Sequence, residues 1–285
     1  MEPIKAGIIG GSGIYDIEDI KEAQTVDIDT PFGKPSDKII TGIIEGVRFA
    51  FLPRHARGHR ISPSELNFRA NIYAFKKLGV ETILSISAVG SLKEELKPRD
   101  FVIPDQLFDR TKKRACTFFE NGIVAHVGMA DPFCPDVSEI AYETAKELNI
   151  PVHKGGTYVC IEGPQFSTRA ESNVYRQLDF SIIGMTAVPE AKLAREAEIC
   201  YVTVALVTDY DVWKADEEVS LDKVLANLKA NSENAKRFIK NILPKLNKGC
   251  TCDCGRALST AIVTAKELIP EETMEKVRLF VGKYM

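Results

Sequence analysis

Two hydrophobic periods alternate along the chain from one end to the other. Residues 5–10 form a short apolar run that ends in glycines, as in a buried strand feeding a turn. Ile39–Ile44 and residues 47–52 are two further strands on either side of Glu45-Gly46, which together predict a hairpin. Ser62-Pro63-Ser64-Glu65 joins an N-cap, a proline at the first helical position and a reciprocal glutamate. The spacing predicts a helix from there to about Leu78, with Gly79 beyond it. Residues 80–87 read as a β-branched strand. Asp136 with Glu139, and Thr168 with Glu171, repeat the capping signature and predict helices over 136–148 and 168–178. Strands follow at 180–185 and 199–208. Apolar residues at helical spacing, from Leu221 through Leu228, Phe238 and Ile242 to Leu246, predict one long closing helix.

Alternation of this kind predicts the α/β class, as a single domain with a central β-sheet flanked by helices. The early hairpin makes the sheet mixed rather than wholly parallel. The helical register breaks after Leu246, so the chain divides into a main domain, 1–246, and a cysteine-containing extension, 247–285. The composition suits a substantial core, with 45% hydrophobic and 27% charged residues. With 37 basic against 40 acidic residues the net charge is −3, which offers no global attraction to nucleic acid or an anionic membrane. The amino-terminal residues carry no signal-peptide pattern and no apolar run is long enough for a membrane span, so a cytoplasmic protein is expected.

Ligands of α/β sheets bind outside the carboxyl ends of the strands, and the predicted strands empty into chemically distinctive residues. The first runs into Gly10-Gly-Ser-Gly13. It fails as a dinucleotide fingerprint because Asp16 stands where the third glycine belongs, leaving a tight turn or a phosphate cradle. The hairpin runs into Arg54-His55, with Arg57 and His59 close behind, so half of the four histidines sit beside two arginines. An arginine fork suits phosphate, although a solvated basic loop has the same composition. Residues 199–208 end in Asp209-Tyr210-Asp211, either a surface acidic turn or a desolvated carboxyl that stays protonated and donates to a heterocycle nitrogen. Seven cysteines are present, three of them in Cys250-Thr-Cys252-Asp-Cys254. That spacing is too tight for a zinc knuckle, and no histidine lies beyond His153 to complete a local site. No metal is therefore expected. A bridge between alternate cysteines would be strained and easily reduced.

Taken in order, eight blocks resemble the trimeric purine nucleoside phosphorylases, and within them most closely the 5′-methylthioadenosine phosphorylase family. They are Gly-Gly-Ser-Gly at 10–13, Pro-Arg-His-x-Arg-Gly-His at 53–59, Ser-Ala-Val-Gly-Ser-Leu at 87–92, Asp-Gln-x-x-Asp-Arg-Thr at 105–111, Met-Ala-Asp-Pro-Phe-Cys at 129–134, Glu-Gly-Pro-Gln-Phe-Ser-Thr-Arg-Ala-Glu-Ser at 162–172, Gly-Met-Thr-x-Val-Pro-Glu at 184–190 and Thr-Asp-Tyr-Asp at 208–211. The resemblance spans residues 6–246. It implies phosphorolysis of 5′-methylthioadenosine to adenine and 5-methylthioribose 1-phosphate, with adenosine as a second substrate. No cofactor is implied, because inorganic phosphate is a co-substrate. By the same resemblance, phosphate is held by Ser12, Arg54, His55, Ser87, Ala88 and Thr186. The purine and ribose meet Phe166, Ser167, Met185, Asp209 and Asp211, with Asp209, Asp211 and His55 as the catalytic set. His126, lent across a subunit boundary, and Val219, Val224 and Leu225 form the alkylthio pocket. A homotrimer or a pair of trimers is implied.

Ser167 and Asp209 match the 6-aminopurine enzymes of the family, whereas 6-oxopurine relatives carry Glu and Asn there. The rival enzymatic reading is a broad phosphorylase acting on inosine and guanosine. A non-enzymatic one is a nucleotide-binding or redox-sensing module whose working part is the cysteine tail. The tail resembles the thermophilic branch of the family, which carries intrasubunit disulfides. This makes Cys134, Cys200, Cys250, Cys252 and Cys254 disulfide candidates, with Cys134–Cys200 the favoured long-range bridge.

Overall fold

The computed structural model describes residues 3–11, 20–214, 221–246 and 251–285, the side chains of 221–225 and 228 excepted. Its described residues form eleven strands and six α-helices. In chain order they are β1 (Ala6–Gly10), β2 (Lys21–Val26), β3 (Ile39–Ile44), β4 (Val47–Pro53), α1 (Phe68–Lys77), β5 (Thr82–Ser91), β6 (Phe101–Ile103), β7 (Gln106–Arg110), α2 (Pro135–Glu147), β8 (Val152–Lys154), β9 (Thr157–Ile161), α3 (Arg169–Gln177), β10 (Ile182–Gly184), α4 (Ala187–Glu196), β11 (Cys200–Asp209), α5 (Leu221–Leu246) and α6 (Glu271–Val281). The strands make one mixed sheet in the order β2-β3-β4-β1-β5-β10-β9-β7, and a second branch leaves β5 through β11, β6 and β8.

Side-chain alternation builds a core on each face of the sheet. Along β1, β4 and β5, Ile8, Phe49, Phe51, Leu84 and Ile86 join Phe238, Ile239 and Ile242 of α5 and Val137 and Ala141 of α2. The intervening Ile9, Ala50, Leu52 and Ile83 face the other way and pack with Ile72 and Phe75 of α1 and Ala191 and Leu193 of α4. Because both faces are covered, β1 and β11 read as continuous apolar runs rather than alternating ones. The segment after Leu246 contributes to both cores. Cys254 enters the first, and Leu258, Val277, Phe280 and Val281 enter the second.

The predicted hairpin is present. Glu45 and Gly46 both have positive φ (47° and 76°), as a two-residue loop between right-twisted strands requires. The helix predicted from Ser62 begins instead at Phe68. Ser62 and Glu65 do bond reciprocally, with the Ser62 Oγ to Glu65 Oε2 distance at 2.6 Å, but this closes an isolated turn. Ser64 is drawn to Glu162 (2.6 Å), and Asn67 becomes the N-cap, accepting from the Ala70 N–H. Helix α2 likewise starts one residue earlier than predicted, with Cys134 as N-cap. Asp136 lies in its first turn, where it accepts a hydrogen bond from Thr251 (3.0 Å). The Thr168–Glu171 box is formed as predicted. Strands β2 and β6 to β9 were not foreseen. β2 is an exposed edge strand, and β6 and β8 span three residues each, too few to show a period.

Candidate active site

The sheet forks along β5, and the fork creates the site. β1 pairs with β5 only as far as Ile86, and β10 takes up the same strand only at Gly90 and Ser91. Between these contacts Ser87, Ala88 and Val89 keep β11 as a neighbour. Ala88 is consequently exposed in the middle of a central strand. Gaps at such topological switch points are where α/β sheets bind ligands.

Arg54, at the exit of β4, lies beside this gap and is buried. Its Nε and Nη2 donate to Glu190 Oε1 (2.5 Å) and Oε2 (3.2 Å), Nη2 also to Ser85 Oγ (2.7 Å), and Nη1 to the Ile86 carbonyl (3.0 Å). Four of the five guanidinium hydrogens are thereby used; the fifth, on Nη1, which faces Gly11, has no partner among the described residues. Glu190 is completed by Ser85 Oγ (2.8 Å) and Tyr201 OH (2.9 Å). Arg57, by contrast, is exposed and pairs with Asp37.

His55 is fixed by a bond between Nδ1 and the Ile61 carbonyl (2.9 Å) and stacks on His59 with ring centroids 4.3 Å apart. A carbonyl can only accept, so Nδ1 carries the hydrogen and Nε2 presents a lone pair. Burial, aided by the charge of Arg54, pushes the imidazole pKa down to about 4, so the ring is neutral near pH 7.

The exit of β11 holds the carboxyl pair. Asp209 accepts from Thr208 Oγ1 (2.7 Å) and the Asp211 N–H (2.8 Å). Burial nonetheless raises its pKa above 3.8, against both hydrogen bonds. Burial raises Asp211 too, and the charge of Asp209 adds to it. Helix α5 braces the exit, since Asn227 and Asn231 donate to the Thr208 and Val207 carbonyls. The approach is close, because a Cβ on Gly90 would stand 3.0 Å from Asp209 Oδ1. Ser167 is buried just ahead of the α3 capping box, and the preceding Phe166 is 58% exposed.

Several buried polar atoms in these segments lack a hydrogen-bond partner among the described residues. Ser87 Oγ, Thr186 Oγ1 and Tyr158 OH line the fork, and Ser167 Oγ and Asp211 Oδ2 belong to the second group. Buried polar groups are otherwise nearly always paired. Two sets of donors and acceptors thus stand without a partner among the described residues, near the strand exits where the sequence predicted a site.

Met185 is half-buried, with its sulfur against Gly163. His126 is exposed on a loop tied to the carboxyl-terminal segment, its N–H donating to the Ala261 carbonyl (2.8 Å). Ser12, Val219 and Cys250 lie outside the described residues, as do the side chains of Val224 and Leu225. The other disulfide candidates, Cys134, Cys200, Cys252 and Cys254, are gathered together, their sulfurs within 4.8 Å of one another.

Sequence reading assigned no role to three residues that organise the site. Glu190 anchors Arg54; its signal is a lone carboxylate inside the apolar run 187–191. Arg114 donates to the carbonyls of Glu162, Met185 and Val188 (2.6, 2.6 and 2.5 Å), clamping two site loops together. Tyr158 crosses over Gly184, where any Cβ would overlap its hydroxyl. The partners of both Arg114 and Tyr158 are remote in sequence and left no local pattern. A surface cleft lined by Phe32, Arg69, Phe118 and Lys276 opens beside α6 and includes none of the residues above.

Comparison with known proteins agrees with this geometry. A family model described as the phosphorylase superfamily matches residues 5–244. The chain is 55% identical over 279 residues to an S-methyl-5′-thioadenosine phosphorylase of Koribacter versatilis, covering 98% of this chain and 96% of that one. A methylthioadenosine phosphorylase structure from an antarctic soil metagenomic library superimposes with a TM-score of 0.94 at 50% identity, covering 98% and 99% of the two chains. The Schistosoma mansoni methylthioadenosine phosphorylase in complex with adenine gives 0.84 at 38% identity, covering 89% and 96%. The chain therefore belongs to the phosphorylase superfamily, among the S-methyl-5′-thioadenosine phosphorylases.

Proposed function

We propose that this protein cleaves 5′-methylthioadenosine with inorganic phosphate, releasing adenine and 5-methylthioribose 1-phosphate. The observation that carries the reading is the pair of unpartnered polar sets on either side of the β5 fork. Ser87 Oγ, Thr186 Oγ1, the remaining Nη1 hydrogen of Arg54 and the backbone at Ala88 suit a tetrahedral anion, with Ser12 as a further ligand by resemblance. Neutral His55 accepts the hydrogen of a monohydrogen phosphate on Nε2, so it serves as an orienting acceptor rather than a cation.

The second set suits a purine. Phe166 offers an aromatic face, and Ser167, Asp209 and Asp211 offer polar contacts to the base edge. A phosphate oxygen attacks C1′ as the C1′–N9 bond breaks. The electron pair passes into the purine, and N7 takes the proton held by Asp209. Raising the pKa of that carboxyl by burial keeps the proton available. Held phosphate also stabilises the cationic sugar that develops. The enzyme works without a cofactor as a cytoplasmic homotrimer, singly or paired, with the partner's copy of His126 and the region of Val219, Val224 and Leu225 enclosing the methylthio group. Among the described residues no helix is long and apolar enough to cross a membrane.

Phosphorolysis assays on methylthioadenosine, adenosine, inosine and guanosine, with and without phosphate, test the proposal. Strictly phosphate-dependent release of adenine is expected, fastest from methylthioadenosine. Preferential cleavage of inosine or guanosine would overturn it.

A further inference from the structure

The four cysteines gathered outside the active site come from three distant stretches. Cys134 caps α2, Cys200 opens β11, and Cys252 and Cys254 flank the start of a 3₁₀ turn, Asp253–Arg256. Their sulfurs all lie within 4.8 Å of one another, with Cys252 3.5 Å from Cys134 and 3.4 Å from Cys200. A disulfide needs about 2.0 Å. Four thiolates around a tetrahedral ion, each at about 2.3 Å, stand about 3.8 Å apart. The observed cluster brackets that second value.

The surrounding backbone holds the sulfurs in place. The Cys134 N–H donates to the Tyr201 carbonyl (2.8 Å), setting the start of α2 against β11 next to Cys200, whose own N–H donates to the Glu81 carbonyl (2.9 Å). The tail docks through Thr251 to Asp136 (3.0 Å) and through the Leu258 N–H to Glu198 (2.9 Å). The two tail cysteines are one residue apart, yet the turn directs both sulfurs to one side, and the Cys254 N–H donates to Cys252 Sγ (3.4 Å). Such an N–H···S bond and the N-terminal end of α2 at Cys134 suit sulfur that carries negative charge, as a metal-bound thiolate does. Cys134, Cys200 and Cys254 are buried. Four sulfurs in mutual contact suit a soft divalent cation, which uses all four at once. The sequence offers no ligands local to the tail beyond its own cysteines, whereas the fold brings Cys134 and Cys200 to them.

We propose that Cys134, Cys200, Cys252 and Cys254 bind one zinc ion, a structural site that fastens the carboxyl-terminal segment to the catalytic body. The four coordination positions are filled by protein, leaving none open for chemistry.

Metal analysis of the untagged full chain, purified with reductant and without chelators, tests this. The expected result is about one zinc per chain, released as the thiols are titrated with a mercurial. Cys252→Ser with Cys254→Ser should lose at least tenfold in bound zinc and melt earlier, with kcat unchanged at low temperature. Cys250→Ser should retain the ion. Chain grown with cobalt should show the intense visible bands of tetrahedral cobalt thiolate. Three outcomes overturn the proposal: one iron in place of zinc; no metal with all thiols reactive; or thiols missing from the denatured, unreduced chain that return on reduction, which reveals a disulfide instead. The wild-type measurements decide the matter even where a variant fails to fold.

Discussion

Arg54 and Glu190, 136 residues apart in sequence, form an ion pair in which the side chains are 1% and 0% exposed. The carboxylate also accepts from Ser85 and Tyr201, so its role is to fix the direction of the guanidinium as well as to neutralise it. Removing one partner of a buried pair leaves an uncompensated charge and costs about 3–5 kcal/mol. Glu190→Gln should therefore lower unfolding stability by about 3 kcal/mol and, in the fraction that folds, raise the KM for phosphate more than it lowers kcat. Urea melts and phosphate-saturation kinetics on the same preparation check both. An unchanged phosphate KM would remove Glu190 from the positioning of Arg54.

His55 offers a test of protonation state. Its pKa lies at about 4 in the folded chain against 6.5 unperturbed, so the stability it contributes is complete above the unfolded value and is lost as the pH falls through about 4. NMR of labelled histidine should show one imidazole with a protonated Nδ1 that does not titrate between about pH 5.5 and 8. His55→Ala should weaken phosphate binding without moving an activity pKa into that interval. A His55 resonance titrating near 6.5 would contradict the neutral acceptor.

Asp209 is the proton donor in the proposed reaction, so Asp209→Ala should reduce kcat by about 10²–10⁴-fold. The effect on KM for methylthioadenosine should be smaller, because the hydrogen bond to N7 strengthens as the base departs. Burial raises this carboxyl, which puts the protonated form at the acid side. The wild-type kcat should accordingly fall as the pH rises through the Asp209 pKa, and the variant should lack that limb. Stopped assays across pH with both proteins measure it; a normal kcat for the variant rules out the role.

Much of this site could be read from the chain because the signals are local. A strand followed at once by Arg54-His55, or by Asp209-Tyr-Asp211, marks a strand exit whatever the rest of the fold does. Where chemistry depends on a distant partner, the sequence is silent. Glu190, a lone carboxylate in an apolar run, gains a meaning only once Arg54 is beside it, Arg114 only once its three carbonyls are, and the four-cysteine cluster only once residues 134 and 200 meet the tail. The capping signature at Ser62 failed for a different reason. Ser62 and Glu65 do bond to each other, yet the pull of Glu162 on Ser64 and the better-placed Asn67 move the helix start to Phe68. A cap motif defines a local turn, and tertiary contacts decide whether a helix grows from it.

Glu196 provides a stability switch that is separate from catalysis. Its side chain is buried beneath residues 117–118, accepting from Thr117 Oγ1 and the Phe118 N–H, both at 2.7 Å. Burial raises its pKa to about 7, and those two bonds only partly resist. The protonated carboxyl favours the folded state, so its contribution is complete below the unfolded value of 4.5 and is lost as the pH rises through about 7. The shift corresponds to about 3 kcal/mol at most. Asp209 and Asp211 are raised in the same direction, so the wild-type slope alone does not isolate Glu196. The comparison with Glu196→Gln does, since glutamine keeps an acceptor for the Phe118 N–H and never ionises. Denaturant melts at about pH 5 and pH 8.5 should show the wild type losing markedly more stability than the variant over that interval. Equal losses would mean that Glu196 ionises in the folded protein as freely as it does in water.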